Sequence, residues 1–137
     1  MRRRTQARIF ALQVLYQIDI TGDNCSDSLA NFWLAMDEAP DAQVKEFTGE
    51  LVKGTVEHFK AIDEKIADYA TNWQIKRMAV IDRNILRLSC YELLFREDIP
   101  PKVSINEAVD LAKKYSGPQA GKFVNGILDK IKPESAN

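Results

Sequence analysis

Arg2, Arg3, Arg4 and Arg8 stand in the first two turns of a segment with helical periodicity. A helix start carries the positive end of the backbone dipole, so each cation near it costs about 0.3–1 kcal/mol, and neighbouring cations repel one another. A phosphate backbone removes both penalties, and release of its counterions drives association. The planar guanidinium fork also matches phosphate oxygens and base edges. The opposing reading is a solvated N-terminal tail, and the residues alone leave both open. A second constellation is Gly121-Lys122-Phe123-Val124-Asn125-Gly126 near the start of the last helical segment. Each helical glycine costs about 1 kcal/mol relative to alanine, a cost that close approach of a ligand or another backbone would explain. Lys122 and Asn125 lie three apart on the polar side, where an ammonium and an amide could meet phosphate and base edge. Phe123 begins the apolar stripe and reads as core, or as a ring at the rim on which a base stacks. Close helix packing explains the glycines equally well.

Other chemistry has little support. The two cysteines, Cys25 and Cys90, are far apart, and His58 is the single histidine, so zinc, disulfide and two-histidine mechanisms have no ligand set. No phosphate loop, dinucleotide fingerprint or nucleophile elbow occurs. Glu92 and Asp110 are isolated carboxylates, and Asp82 with Arg83 suits a helix start. A non-enzymatic binding module without a cofactor is therefore expected. No apolar run approaches the roughly 20 residues of a membrane span. The Arg-rich start has no signal-peptide cleavage site, although it mimics a transit sequence. The cytoplasm is the expected location.

The elements that must position these residues are helical, because apolar residues recur at three and four and nowhere alternate at two. A first helix is expected from about Arg4 to Ile20, on a stripe of Ala7, Ala11, Val14, Leu15 and Ile18, ending at the turn cluster Thr21-Gly22-Asp23-Asn24. A short second helix carries Leu29, Phe32, Trp33 and Met36 and breaks at Pro40. A third starts near Ala42 with Val44, Phe47 and Leu51, is weakened by Gly49 and Gly54, and bends near His58. The stripe resumes with Phe59, Ile62, Ile66, Tyr69, Ala70 and Trp73. From Met78 to Phe95 the chain is apolar on nearly every side, which marks a central helix. Its charges, Asp82, Arg83 and Arg87, should emerge where it leaves the core. After Pro100-Pro101, Ser104 and Glu107 read as a capping box, and Ile105, Ala108, Val109 and Ala112 as a stripe. Ser116-Gly117-Pro118 separates this helix from the last, which carries Ala120, Phe123, Val124, Ile127, Leu128 and Ile131 and closes at Pro133.

The expected fold is all-α: six to seven helices in two small packed bundles, one domain over 1–137 with sub-bundles of roughly 1–73 and 74–137 and a seam near Thr71-Asn72-Trp73-Gln74. The chain's 137 residues, with 19 Lys+Arg against 20 Asp+Glu, suit one compact unit. Charge is uneven along it. The basic start is followed by eight acids between 19 and 50 against Lys45 alone, a basic edge beside an acidic and solvated face.

Together, Arg-Arg-Arg-Thr-Gln-Ala-Arg with Ala11-Leu12-Gln13-Val14-Leu15-Tyr16, the segment Ile81–Leu93, the segment Pro101–Lys113 and Lys122-Phe123-Val124-Asn125-Gly126-Ile127-Leu128-Asp129 resemble the NusB family of bacterial transcription antitermination factors from end to end. The resemblance implies a NusB-like fold. It also implies binding to the boxA element of nascent ribosomal-operon RNA as a heterodimer with NusE, a small-subunit ribosomal protein. The pair would join NusA, NusG and RNA polymerase and support processive elongation, with no reaction catalysed. On matching positions it implies RNA contacts from Arg3, Arg4 and Arg8, with Tyr16 one face along. Asp82 falls near the RNA and partner surface, and Lys122, Phe123 and Asn125 fall in a C-terminal RNA-facing motif. Gln119 stands where some relatives carry an acid linked to RNA binding: its amide can read a base edge, without the charge. Thr5 and Gln6 interrupt an arginine run that some relatives keep. Arginine-to-phosphate contacts would position single-stranded RNA, while one or two bases unstack against an aromatic ring or an amide. Two alternatives stand beside this one. The first is the accessory domain of an RNA-modifying enzyme, for which the chain is short. The second is a helical protein-interaction module, such as a homodimer that masks the arginine helix against the acidic 19–50 block.

Overall fold

The computed structural model describes residues 1–70 and 74–133. Seven α-helices and one 3-10 turn make up the regular structure of the described residues, with no strand among them. In chain order they are α1 (Arg3–Thr21), α2 (Cys25–Leu34), α3 (Ala42–Glu57), α4 (Phe59–Tyr69), the 3-10 turn Ile75–Arg77, α5 (Val80–Phe95), α6 (Pro101–Tyr115) and α7 (Pro118–Ile131). The all-α expectation holds, and α1 extends one residue beyond each expected end.

Local chemistry sets the boundaries. Gly22 takes a left-handed conformation (φ 75°) that a side chain would resist, and its N–H donates to the Ile18 carbonyl at 2.8 Å, closing α1. The Asn24 and Asp41 side chains accept the Asp27 and Gln43 N–H groups, each at 2.8 Å, and so start α2 and α3. The break near His58 is real: α3 ends at Glu57, α4 begins at Phe59 and His58 is the joint. Met36 falls just outside α2. The seam residues 71–73, Trp73 of the expected stripe included, lie outside the described residues.

The capping box is not formed. Proline at Pro101 opens α6 earlier, because a first-turn residue needs no amide partner. Ser104 therefore lies one turn inside the helix, where its hydroxyl donates to Glu92 Oε1 at 2.8 Å.

α5 is the central helix, as its all-round apolarity requires, and it packs against α1, α3, α4, α6 and α7. Ile85, Leu86, Leu88 and Cys90 are buried within it. Its crossing with α3 depends on Gly54, since a methyl group there would overlap the Tyr91 ring. The expected exit of its charges holds for neither arginine. Arg87 is 5% exposed and Arg83 is partly buried. Asp19 accepts from Arg83 Nε at 2.7 Å, from Arg87 at 3.0 Å and from Asn84 at 2.8 Å, while Asp63 accepts from Arg87 at 2.8 Å. A polar knot thus ties the end of α1 and the middle of α4 to α5.

Candidate nucleic-acid interface

The start of α1 has no side-chain cap and no acid in its first turn, so its dipole is answered from neither source. Arg2, Arg3 and Arg4 are exposed there. Arg3 is 63% exposed and lies 3.5 Å from Asp41, an open pair of little stabilising value. The Arg4 guanidinium lies 4.4 Å from the centroid of the Phe47 ring, which orients it without neutralising it.

Arg8 departs from the expectation that it contacts RNA. One turn along, the helix has rotated it into the core, where its side chain is 2% exposed. It donates to Glu92 through Nε at 3.0 Å and Nη2 at 2.8 Å, and Nη1 lies 3.6 Å from Glu107. Glu107 also accepts the Thr5 hydroxyl at 2.7 Å. A guanidinium held this way cannot reach a phosphate outside.

Three clefts lie around the end of α6, two of them lined by α1. The first lies between α1 and α6, about 450 Å³, and includes Arg2, Thr5, Ile9, Asp110 and Lys114. The second, about 570 Å³, is bounded by Gln13 and Tyr16 of α1, Phe32 of α2, Ile81 of α5 and Tyr115. The third, about 320 Å³, lies between the starts of α5 and α7, with Met78, Asp82, Ser116, Gln119 and Phe123 on its walls. Lys114, Tyr115 and Ser116 are consecutive, and each lines a different cleft, so the three are neighbours around the end of α6 and together make a valley there.

The structure brings Asp82, Gln119 and Phe123 together in the third cleft and places Tyr16 in the second. Asp82 lines this cleft, and its Oδ1 is buried with no hydrogen-bond partner among the described residues. Lys122 is exposed on α7. Asn125 does not share the valley. It lines a separate cleft of about 310 Å³ with Lys102, Asn106 and Lys132. Of the two motif glycines, Gly121 permits close packing, since a methyl there would press on the Lys113 stem, whereas a methyl on Gly126 would point into open space. Sequence reasoning missed Gln13, Lys114, Tyr115 and Ser116. The signal was present in the stripe Ile9-Gln13-Tyr16, which runs along α1 beside its buried stripe.

Asp19, Cys25, Cys90 and His58 lie away from these clefts and pack within the fold. Burial pushes Asp19 up, but hydrogen bonds from Arg83 and Asn84 and the charges of Arg87 and Arg83 outweigh it and hold the carboxyl below its usual range. Burial pushes the Cys90 thiol up to about 12 and raises Cys25 as well, so neither is poised as a nucleophile. His58 stacks on Phe95 with ring centroids 3.9 Å apart. No cluster of metal-ligating side chains occurs among the described residues, and none of their helices is long and apolar enough to cross a membrane.

Comparison with known proteins bears on this surface. The chain is 49% identical over 129 residues to the transcription antitermination protein NusB of Anaeromyxobacter dehalogenans (strain 2CP-1), a span covering 94% of this chain and 89% of that one. It is 43% identical to the NusB of Thermodesulfovibrio yellowstonii, covering 96% and 93%. Its fold is similar to that of T. maritima NusB, with TM-score 0.85, 39% identity and coverage of 100% and 94%. It is also similar to a chain in the crystal structure of antitermination factors NusB and NusE in complex with dsRNA, with TM-score 0.86, 35% identity and 96% of each chain covered. Residues 5–133 match the model of the NusB family, and with relatives this similar over nearly its whole length, the chain belongs to the NusB family.

Proposed function

We propose that this protein is a transcription antitermination factor that binds boxA RNA together with NusE, and that the valley beside α1 is where the RNA lies. The observation that carries this reading is that three clefts adjoin one another around the end of α6. They reach from Arg2 at the start of α1 to Asp82 of α5 and Gln119 and Phe123 at the start of α7. Arg3, Arg4 and Lys122 hold phosphates at the edges, and Tyr16, Gln119, Phe123 and Asp82 meet bases. Arg8 supports the surface from beneath. Asn125, in its own cleft with Lys102 and Lys132, acts at the border of the RNA or on the partner.

Single strands suit this arrangement, because unpaired bases can be splayed into pockets while the backbone follows the cations. The 19 Lys+Arg are balanced by 20 Asp+Glu, so the chain has no net positive charge with which to hold RNA, and NusE lengthens the basic track. The pair then joins RNA polymerase with NusA and NusG in the cytoplasm and works by holding RNA, not by catalysing a reaction. A gel shift with a boxA oligonucleotide and a scrambled control, with and without NusE, tests this. Preferential binding of boxA that NusE strengthens is expected, and equal binding of both RNAs under both conditions would sink the reading. Light scattering at low and high salt tests the homodimer: a dimer that dissolves when RNA is added would mean that the arginine edge is masked.

A further inference from the structure

The second cleft is the largest of the three and the least accounted for. Two tyrosines, Tyr16 and Tyr115, each 39% exposed, stand on its walls. Its floor is rigid, because the Phe32 ring is wedged edge-on against Phe10 at 5.7 Å and Trp33 at 5.2 Å. Gln13 and Gln17 lie on the same edge of α1, one turn apart. The Lys114 ammonium lies 5.3 Å from the Tyr115 ring centroid and belongs to the neighbouring cleft.

We propose that this cleft takes one unpaired nucleobase of the bound RNA, stacked against Tyr115 and Tyr16, with the Gln13 and Gln17 amides reading its edge and Lys114 holding the adjoining phosphate. The inference rests on the RNA-binding reading and adds to it a base site with two unassigned positions, Tyr115 and Gln13. Tyr115 stands in sequence between Lys114 of the first cleft and Ser116 of the third, so a strand that follows the three clefts from Arg2 to Asp82 passes this one. Aromatic walls are sequence-tolerant platforms for any base. A side-chain amide both donates and accepts, so it can distinguish base edges as an apolar wall cannot. A base inside a duplex cannot enter, which makes the site selective for unpaired RNA.

The test uses full-length protein and single-stranded boxA oligonucleotides carrying 2-aminopurine at successive positions, with the duplex as control. Binding should quench one position more than its neighbours. Tyr115→Ala should abolish that quench and weaken affinity about tenfold or more while leaving the salt slope unchanged. Tyr115→Phe should restore both, since it keeps the ring. Tyr115 is partly exposed, and a thermal melt verifies that both variants are folded. Wild-type-like binding and quenching by Tyr115→Ala would overturn the base site while leaving the RNA reading intact. Failure of Tyr115→Phe to rescue would also overturn it. Failure of the wild-type protein to bind any boxA oligonucleotide would overturn the RNA reading itself.

Discussion

Arg8 of α1 and Glu92 of α5 face each other inside the protein, each side chain 2% exposed, with Nη2 2.8 Å from Oε1. The same carboxylate accepts the Ser104 hydroxyl, so one acid binds α1, α5 and α6 at a single point.

Removing one partner strands the other charge in a dry environment, which costs about 3–5 kcal/mol. Arg8→Ala is therefore expected to lower the unfolding free energy by about that much in a urea titration. Arg8→Met combined with Glu92→Leu should recover a good part of the loss, because no lone charge remains. A fully stable Arg8→Ala would refute this account of the pair.

Arg3 and Arg4 lie on the open side of the same helix, and their replacement should act on RNA alone. Arg3→Ala with Arg4→Ala should leave the melting temperature nearly unchanged. It should also lower the slope of log affinity against log salt by about 0.7 for each single-strand phosphate that is no longer neutralised. Filter binding between low and moderate salt measures this, and an unaltered slope would remove the two arginines from the interface.

Asp19 gives the fold an acid limb. Its carboxyl is held below the ordinary value near 3.9 by Arg83, Asn84 and Arg87. The stabilisation is therefore fully present above the unfolded value and is lost as pH falls through the folded one. Asp19→Asn should be less stable than wild type at pH 7, with the difference shrinking below about pH 4. Chemical unfolding at a series of pH values checks this, and a gap that widens in acid would contradict the sign.

Glycine has opposite uses in two helices. Gly54→Ala should destabilise by about 1–3 kcal/mol, because Tyr91 occupies the space beside it. Gly126→Ala should stabilise by up to about 1 kcal/mol, because a methyl there would point into open space and helical alanine loses less entropy. Urea titration of the two variants checks both signs. If Gly126→Ala also weakens RNA binding, close approach of the RNA is the reason for the glycine.

Much of this was legible in the sequence. Periodicity and punctuation located every α-helix of the described residues, and the all-round apolarity of Met78–Phe95 identified the central one. The failures share a cause: buried ion pairs are invisible to periodicity. Arg8 and Arg87 look like solvated charges until the helices are packed and Glu92, Asp19 and Asp63 come to meet them. Ser104 and Glu107 carry the spacing of a cap, but Pro101 had already begun the helix. The valley was half legible. Residue types singled out Phe123, and the family resemblance added Tyr16, Asp82 and Gln119, while Tyr115 acquires its meaning from the packing of α6 beside α1 and α5.

Because Lys114 and Tyr115 end α6 and Ser116 follows them, each against a different cleft, the last turn of α6 acts as a ruler. Inserting or deleting a single residue within that turn would put the side chains beyond the change out of step with their hollows. Across homologous chains, the length of this turn should accordingly vary less than its composition.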